Sequence, residues 1–127
     1  MIQSKHNIRG RRVLLVEDEM LVSLLIEDML ADEQCVVVGP FSRLPDALVA
    51  ARTENIDVAI LDVNIDGDKV FPVAEILAAR QIPFLFLSGY GQQAIPRDRP
   101  HWRVCSKPFR PQELAEMLVE QLQGSGP

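Results

Sequence analysis

The stretch Val58-Ala59-Ile60-Leu61-Asp62 places a carboxylate directly after four apolar residues, and this stretch decides the fold. A short apolar run of this length is typical of a strand that is buried within a sheet. A carboxylate at the end of the run belongs where the strand leaves the protein interior and meets water. The stretch therefore predicts a central strand whose carboxyl end carries an acid, Asp62.

Outward from this stretch, further apolar runs repeat at similar intervals. They predict additional strands at residues 12–17, 35–39, 83–88 and 102–106. The runs are continuous rather than alternating, which indicates burial on both faces and a parallel sheet covered by helices. Right-handed crossovers leave few topologies for such a chain. We therefore predict a flavodoxin-like α/β fold of the (βα)5 type, with strand order 2-1-3-4-5 and helices on both faces.

Helical periodicity separates the predicted strands. The first helix, 20–31, has an apolar stripe of Leu21, Leu25 and Met29, with Val22, Ile26 and Leu30 beside it. The second is predicted to begin at Ser42 as its N-cap, the third at about Lys69, and the last at Pro111, a favoured first helical position. The fourth, 91–99, contains a proline and is followed by another, so we expect it to be short at best.

The composition is that of one globular domain without a membrane segment. Of the 127 residues, 47% are apolar and 24% are charged, which excludes a disordered chain. No apolar run could span a bilayer, and the polar start lacks the apolar core of a signal peptide, so we expect a cytoplasmic protein. The net charge of −5 argues against direct binding of nucleic acid. We expect a domain over 11–123, an N-terminal extension, 1–10, and a tail, 124–127.

One edge of the predicted sheet collects three acids, a hydroxyl group and an amine. These are Glu17 and Asp18 after the first strand, Asp62, Ser88, and Lys107 after the last strand. Each close pair of carboxylates costs about 4 kcal/mol at the effective dielectric of a protein surface, and one lysine cannot neutralise three acids. A hard dication, Mg²⁺ or Mn²⁺, can. A carboxylate beside such an ion can attack phosphorus and form an aspartyl phosphate, and Asp62 is best placed to do so.

The order of these residues resembles that of a response-regulator receiver domain, the CheY-like phosphoacceptor module of two-component signalling. The match rests on Glu17-Asp18, Asp62, Ser88-Gly89 and Lys107-Pro108-Phe109, and it spans nearly the whole chain. The resemblance implies that Asp62 accepts a phosphoryl group from a phosphohistidine of a sensor histidine kinase or a histidine phosphotransfer protein. It also implies a Mg²⁺ ion bound directly by Asp18 and Asp62, with Glu17 acting through water.

The resemblance assigns further roles around the same edge. The backbone carbonyl of Asn64 would be another metal ligand, and Ser88 would hydrogen-bond a phosphoryl oxygen. Lys107 would pair with Asp62 or its phosphate, and the peptide bond from Lys107 to Pro108 would be cis. The side chains of Asn64 and Tyr90 would flank the site and influence the rate at which the phosphate is lost.

Two departures from the family pattern concern the switch between inactive and active states. Most receivers carry an aromatic residue on the last strand, three positions before the lysine, and here that position is Val104. The run 86–90 is similar to the Phe-Ala-Thr-Gly-Tyr motif of a receiver subset that also lacks this aromatic residue. Gly89 and Gly91 free the backbone around Tyr90. Our hypothesis is that Tyr90 and residues 91–99 form the moving element.

Competing interpretations give this chain other functions. A Mg²⁺-dependent phosphatase with an aspartate nucleophile needs a second acid two residues later, where this chain has Asn64, which cannot transfer a proton. A flavodoxin-like nucleotide or flavin binder would carry a glycine-rich phosphate loop after the first strand, where Glu17-Asp18 would repel phosphate. We therefore expect a signalling module without an external product, which acts on an unknown output protein. It is expected to be either a stand-alone receiver or a fragment of a longer regulator.

Overall fold

The computed structural model describes residues 7–124 and contains one parallel sheet, a short hairpin and four α-helices. In chain order, the elements are β1 (Arg12–Val16), α1 (Met20–Asp32), β2 (Val36–Phe41), α2 (Leu44–Thr53), β3 (Val58–Asp62), β4 (Asn64–Ile65), β5 (Asp68–Lys69), α3 (Phe71–Ala79), β6 (Phe84–Ser88), a 3₁₀ turn (Gly91–Ala94), β7 (Val104–Ser106) and α4 (Pro111–Gln123). The strands β4 and β5 form the hairpin, which lies outside the main sheet.

The main sheet has five strands in the order β2-β1-β3-β6-β7, and every neighbouring pair is parallel. Counting only the strands of this sheet, the order is 2-1-3-4-5, so the predicted topology is confirmed. The sheet places the carboxyl ends of β1 and β3 side by side at the point where the strand order reverses. This is where an open α/β sheet binds its ligands.

Continuous apolar strands produce a core on each face of the sheet. Every residue of β3 and β6 is buried, and their side chains alternate between the two faces. On one face, strand residues such as Leu61 and Phe86 pack with the alanines of α2 and the apolar side of α3. On the other face, Ile60 and Leu85 pack with α1 and α4. The prediction of helices on both faces is thus confirmed.

The expectation that a helix over 91–99 is short at best is confirmed, because only the 3₁₀ turn Gly91–Ala94 forms there. The prolines that follow deny backbone hydrogen bonds to a longer helix. Trp102, predicted to open the last strand, lies before β7, which begins at Val104. Its side chain is buried within a cluster of aromatic rings. The cluster comprises Phe71, Phe84, Phe86 and Trp102, with ring centroids 5.3–6.3 Å apart.

Two helix starts differ from the predictions. The helix α2 begins at Leu44 with Arg43 as its N-cap, rather than after a cap at Ser42. The helix α3 begins at Phe71 rather than near Lys69, because Lys69 pairs with Asn64 in the hairpin. None of the helices within residues 7–124 is long and apolar enough to cross a membrane. Parts of the predicted extension, 1–10, and tail, 124–127, lie outside the described residues.

The helix α1 exposes part of the apolar stripe that its sequence pattern assigned to the core. Its buried side chains are Ser23, Ile26, Met29 and Leu30. Its first two turns instead present four exposed apolar side chains, which we call the α1 patch: Met20, Leu21, Leu24 and Leu25, exposed by 76%, 82%, 49% and 41%. Apolar residues surround this half of the helix on all sides, so the pattern alone does not define which face packs on the sheet.

Candidate functional site

The strand ends converge at the carboxyl edge of the sheet. Glu17 and Asp18 follow β1, Asp62 closes β3, Ser88 closes β6, and Lys107 follows β7. Parallel register aligns these ends, since Val16 is opposite Leu61, Asp62 is opposite Leu87, and Ser88 is opposite Ser106. The structure therefore brings together the five side chains that the strand-end pattern selected.

The three acids form a compact oxygen cluster. One carboxylate oxygen from each of Glu17, Asp18 and Asp62 lies within 4.8 Å of the others. Glu17 and Asp62 are buried, with 2% and 5% of their surface exposed, whereas Asp18 is exposed. The backbone N–H of Asp66 donates to Asp18 Oδ2 (2.9 Å), and that of Asn64 donates to Asp62 Oδ1 (3.3 Å). Backbone donors thus hold two of the three acids in place.

Lys107 supplies the positive charge of this edge. Its Nζ atom donates to Asp62 Oδ2 at 3.0 Å and lies 3.4 Å from Glu17 Oε1 and 3.6 Å from Glu19 Oε1. Burial lowers the pKa of Lys107, but its hydrogen bond to Asp62 and the charge of Glu17 outweigh that effect and raise the pKa above its ordinary value. Lys107 is therefore a fixed cation. Its peptide bond to Pro108 is cis.

Glu19 is a neighbour of the site that the sequence reasoning did not select. Its carboxylate lies within ion-pair distance of Lys107, and its backbone N–H donates to Glu17 Oε2 at 3.1 Å. The sequence does indicate that Glu19 lies near the site. Alternate residues of an extended segment point the same way, and Glu19 is two residues after Glu17.

Glu17 is the most perturbed acid of the cluster. Burial, followed by a hydrogen bond with the Asp62 carboxyl group, raises the pKa of Glu17 from 4.5 to about 8, although the Glu19 N–H and Lys107 oppose the rise. Its Oε1 atom is buried and accepts no hydrogen bond from the described residues, although Lys107 Nζ lies 3.4 Å away. A buried oxygen that accepts no hydrogen bond, beside two further carboxylates, is the donor set that a hard dication prefers.

Ser88 closes β6, which lies on the other side of β3 from β1, and Tyr90 follows it by two residues. Ser88 is buried, and its Oγ atom accepts a hydrogen bond from the Tyr90 N–H at 3.0 Å. The carbonyl oxygen of Ser88 accepts from the Lys107 N–H at 2.9 Å, which ties β6 to the lysine. The Tyr90 side chain is 74% exposed. Of the two glycines around it, only Gly91 has a positive φ, 60°, so only Gly91 needs the freedom of glycine.

The hairpin places Asn64 at the rim of the site. The side chain of Lys69 donates from Nζ to Asn64 Oδ1 at 2.6 Å. Val104, at the position where most receivers have an aromatic residue, is half-buried and pairs with Phe86. The aromatic residue of this segment is instead Trp102, two residues earlier, and its ring packs against that of Phe86.

A five-stranded parallel sheet with acids, a hydroxyl group and a lysine at its carboxyl edge is the arrangement of a signalling domain of the receiver class. The sequence model of the response regulator receiver domain matches residues 13–119, and the chain belongs to this family. The transcriptional regulatory protein PdtaR of Mycobacterium tuberculosis is 30% identical over 108 residues. That alignment covers 82% of this chain and 53% of PdtaR, so the chain spans about half the length of this relative.

Solved structures agree with this assignment. SdrG from Sphingomonas melonis Fr1 is 36% identical with a TM-score of 0.78, over 90% of this chain and 97% of SdrG. Its BeF3-activated conformation is 38% identical with a TM-score of 0.73, over 87% of this chain and 95% of SdrG. The receiver domain of the Pseudomonas aeruginosa PAO1 histidine kinase PA1611, solved with magnesium in its active-site cleft, shares the fold at 22% identity, with a TM-score of 0.73, over 90% of this chain and 98% of that one.

Proposed function

We propose that this receiver domain is a phosphoacceptor that is phosphorylated on Asp62 in a Mg²⁺-dependent reaction and that signals through protein–protein contacts. The proposed phosphodonor is a phosphohistidine of a histidine kinase or a histidine phosphotransfer protein. The proposed location of the domain is therefore the cytoplasm. The domain releases no external product, so it is a signalling module rather than an enzyme. Its output partner is a protein.

The observation that carries the proposal is the contact between a buried carboxylate and a half-buried amine beside two further acids. Asp62 lies at the end of the central strand with Lys107 Nζ 3.0 Å from its Oδ2 atom. An ion pair that served stability alone would not need Glu17 as a further buried acid, because removing another carboxyl group from water costs free energy. A site that must receive a phosphoryl group does need a cation and an amine beside its nucleophile.

The residues present fit a magnesium ion. Glu17, Asp18 and Asp62 would hold it, with the carbonyl oxygen of Asn64 as a further ligand. When bound, the ion would neutralise the acids and polarise the phosphoryl oxygens. SdrG, more than a third identical to this chain, adopts a BeF3-activated conformation, and beryllofluoride is a mimic of the phosphoryl group. This similarity supports the same chemistry at Asp62.

Each side chain of the site has a separate role in the proposed phosphoryl transfer. An Asp62 oxygen attacks the phosphorus atom, the bond from phosphorus to the donor imidazole breaks, and the imidazole leaves with the electron pair. Lys107 would change its partner from the carboxylate to a phosphoryl oxygen. The Ser88 hydroxyl group would donate to another phosphoryl oxygen, while its Oγ atom continues to accept from the Tyr90 N–H.

The α1 patch supports a protein as the phosphodonor. Four of the seven large apolar side chains that are exposed within residues 7–124 belong to this patch. The patch begins one residue after Glu19, which approaches Lys107, so it borders the edge by which a phosphoryl group must enter. Contiguous exposed apolar side chains mark protein interaction surfaces. A helical donor that packs on the patch would present its histidine to Asp62.

The phosphoacceptor is tested by intact-mass analysis after incubation with acetyl phosphate and Mg²⁺. We expect one phosphoryl adduct that hydroxylamine removes, as is characteristic of an acyl phosphate. The adduct should be absent from Asp62→Asn. It should be retained in Asp66→Asn, the control, which replaces a nearby exposed carboxylate by the same amide. A hydroxylamine-stable adduct, or one that survives Asp62→Asn, would exclude Asp62 as the acceptor.

The docking surface is tested separately with Leu21→Ser/Leu24→Ser. We expect this double variant to accept phosphate from acetyl phosphate at the wild-type rate and from phosphohistidine proteins more slowly. Val49→Ser, which replaces an exposed apolar residue on α2, is the control. Equal slowing with both donors would mean that the patch acts on the site itself rather than on docking.

A further inference from the structure

The hairpin formed by β4 and β5 connects the phosphoacceptor strand to a lysine that the proposed chemistry does not use. Asn64 lies directly opposite Lys69 in the antiparallel register, so the two side chains share one face of the hairpin. The Lys69 amine donates to Asn64 Oδ1 at 2.6 Å. Lys69 is thus a second cation near the site, and its contact is with an amide rather than with an acid.

The backbone of the hairpin that carries both residues is anchored to the domain, while the two side chains are exposed. Ile65 is fully buried, and the Val70 N–H donates to the Val63 carbonyl oxygen at 2.9 Å, which closes the hairpin at its base. Asp66 and Gly67 at its tip both have positive φ, 49° and 86°, as a tight two-residue hairpin turn requires. The Asp66 N–H also donates to the metal-site acid Asp18.

Lys69 determines which end of the Asn64 amide is available to the site. A lysine ammonium group can only donate, so its partner on the amide must be the oxygen, and the amide NH₂ group must point elsewhere. The backbone N–H of Asn64 already donates to Asp62 Oδ1 at 3.3 Å. With one lone pair of its oxygen engaged and that oxygen directed at Lys69, the Asn64 side chain is a poorer acceptor for a group bound at Asp62.

We propose that Lys69 is a positioning residue that prolongs the lifetime of phosphorylated Asp62 by keeping Asn64 Oδ1 away from the attacking water. Loss of the phosphate requires a water oxygen to attack phosphorus, the bond from phosphorus to the Asp62 oxygen to break, and inorganic phosphate to leave. An amide oxygen that accepted a hydrogen bond from that water would orient it for attack. Lys69 directs this acceptor toward itself and engages one of its two lone pairs. The inference rests on the proposed phosphorylation of Asp62.

The test measures the half-life of the phosphoryl adduct in a buffer that contains Mg²⁺, after acetyl phosphate is removed. The wild type is compared with variants of the chain. Lys69→Met should shorten the half-life by roughly two- to tenfold, the factor that one net hydrogen bond supplies. Lys69→Arg, which keeps a donor at this position, should restore most of the lifetime. The rate of adduct formation should change less than the rate of loss. Arg52→Met, which removes the same charge from the exposed end of α2, should leave the half-life unchanged.

A double variant separates a role through Asn64 from a general effect of charge or folding. In the background of Asn64→Ala, Lys69→Met should have no further effect on the half-life, because the amide oxygen is gone. A half-life that Lys69→Met does not change, or a shortening that persists without Asn64, overturns the role of Lys69 and leaves the proposed function intact. A wild-type chain that forms no adduct refutes the proposed function, and the role of Lys69 with it.

Discussion

Replacement of Glu17 by glutamine tests whether a buried, protonated acid contributes to the stability of the metal-free fold. Glu17 has a pKa of about 8 in the folded chain, compared with its ordinary 4.5. Below pH 4.5, both the folded and the unfolded chain hold the proton. As the pH rises toward 8, only the folded chain still holds it, so the free energy of unfolding falls progressively across this window. Glutamine does not titrate, so this dependence should vanish in Glu17→Gln.

The pKa values set an upper limit to the effect. At about 1.4 kcal/mol per pH unit, the difference between 4.5 and about 8 corresponds to roughly 5 kcal/mol. Solvent at the open edge of the sheet screens part of the interaction between Glu17 and Asp62. We therefore expect the stability of the wild type, relative to Glu17→Gln, to fall by about 2–4 kcal/mol between pH 4.5 and 8.5. An effect of this size is a large fraction of the stability of a domain.

The assay is urea denaturation with a chelator present, at several pH values, for both chains. The quantity of interest is the difference between their free energies of unfolding, because other titrating groups then cancel. Addition of Mg²⁺ at pH 8.5 should restore stability to the wild type, since the ion binds the ionised acid in the folded chain only. Parallel pH profiles for the two chains would refute the assignment of a raised pKa to Glu17.

Three further predictions follow from the geometry. Because metal binding must displace the Glu17 proton, the Mg²⁺ dissociation constant should be roughly 10- to 100-fold higher at pH 6 than at pH 8 by calorimetry, and an equal value at both would contradict this. Gly39→Ala should destabilise the fold by about 2–4 kcal/mol in urea. Gly39 has a φ of 112°, and a Cβ atom there would lie 2.8 Å from the Leu15 carbonyl oxygen. Gly67→Ala is the control: its backbone is strained, but a Cβ atom there meets no neighbour within 4 Å, so it should destabilise the fold by only about 1 kcal/mol. Equal destabilisation by the two variants would exclude a steric clash as the cause of the effect at Gly39. Amide exchange in residues 89–100 should change when beryllofluoride or phosphate is bound, and an unchanged profile would remove this segment from the switch.

The site was predictable from the sequence because it depends on strand ends. Asp62, Ser88 and Lys107 each follow a run whose burial is set by its apolar residues, and parallel strands bring such ends to one edge. Right-handed crossovers left few topologies for these strands, and the flavodoxin-like order among them is the one observed. The positions of these residues therefore required no knowledge of side-chain contacts.

Other features depended on tertiary packing that the pattern does not encode. Leu21 and Leu25 satisfy a helical stripe, yet the sheet contacts the adjacent face of α1, and a helix that is apolar all round offers no signal for the choice. The hairpin has strands of two residues each, too short for periodicity, and only its Asp66-Gly67 turn was visible in the sequence. The contact of Lys69 with Asn64 depends on that hairpin, so it could not be foreseen.

The aromatic cluster gives this domain an optical reporter of its own. Trp102 is the single tryptophan of the chain. It packs against Phe86, two residues before Ser88 on β6, and against Phe71 at the start of α3, while the Arg99 guanidinium group lies 5.4 Å from its ring centre. Indole emission is sensitive to nearby charge and to the packing of its surroundings. A shift of β6 or of the segment around Arg99 would therefore alter the intrinsic fluorescence, so conformational kinetics can be followed in the unlabelled protein.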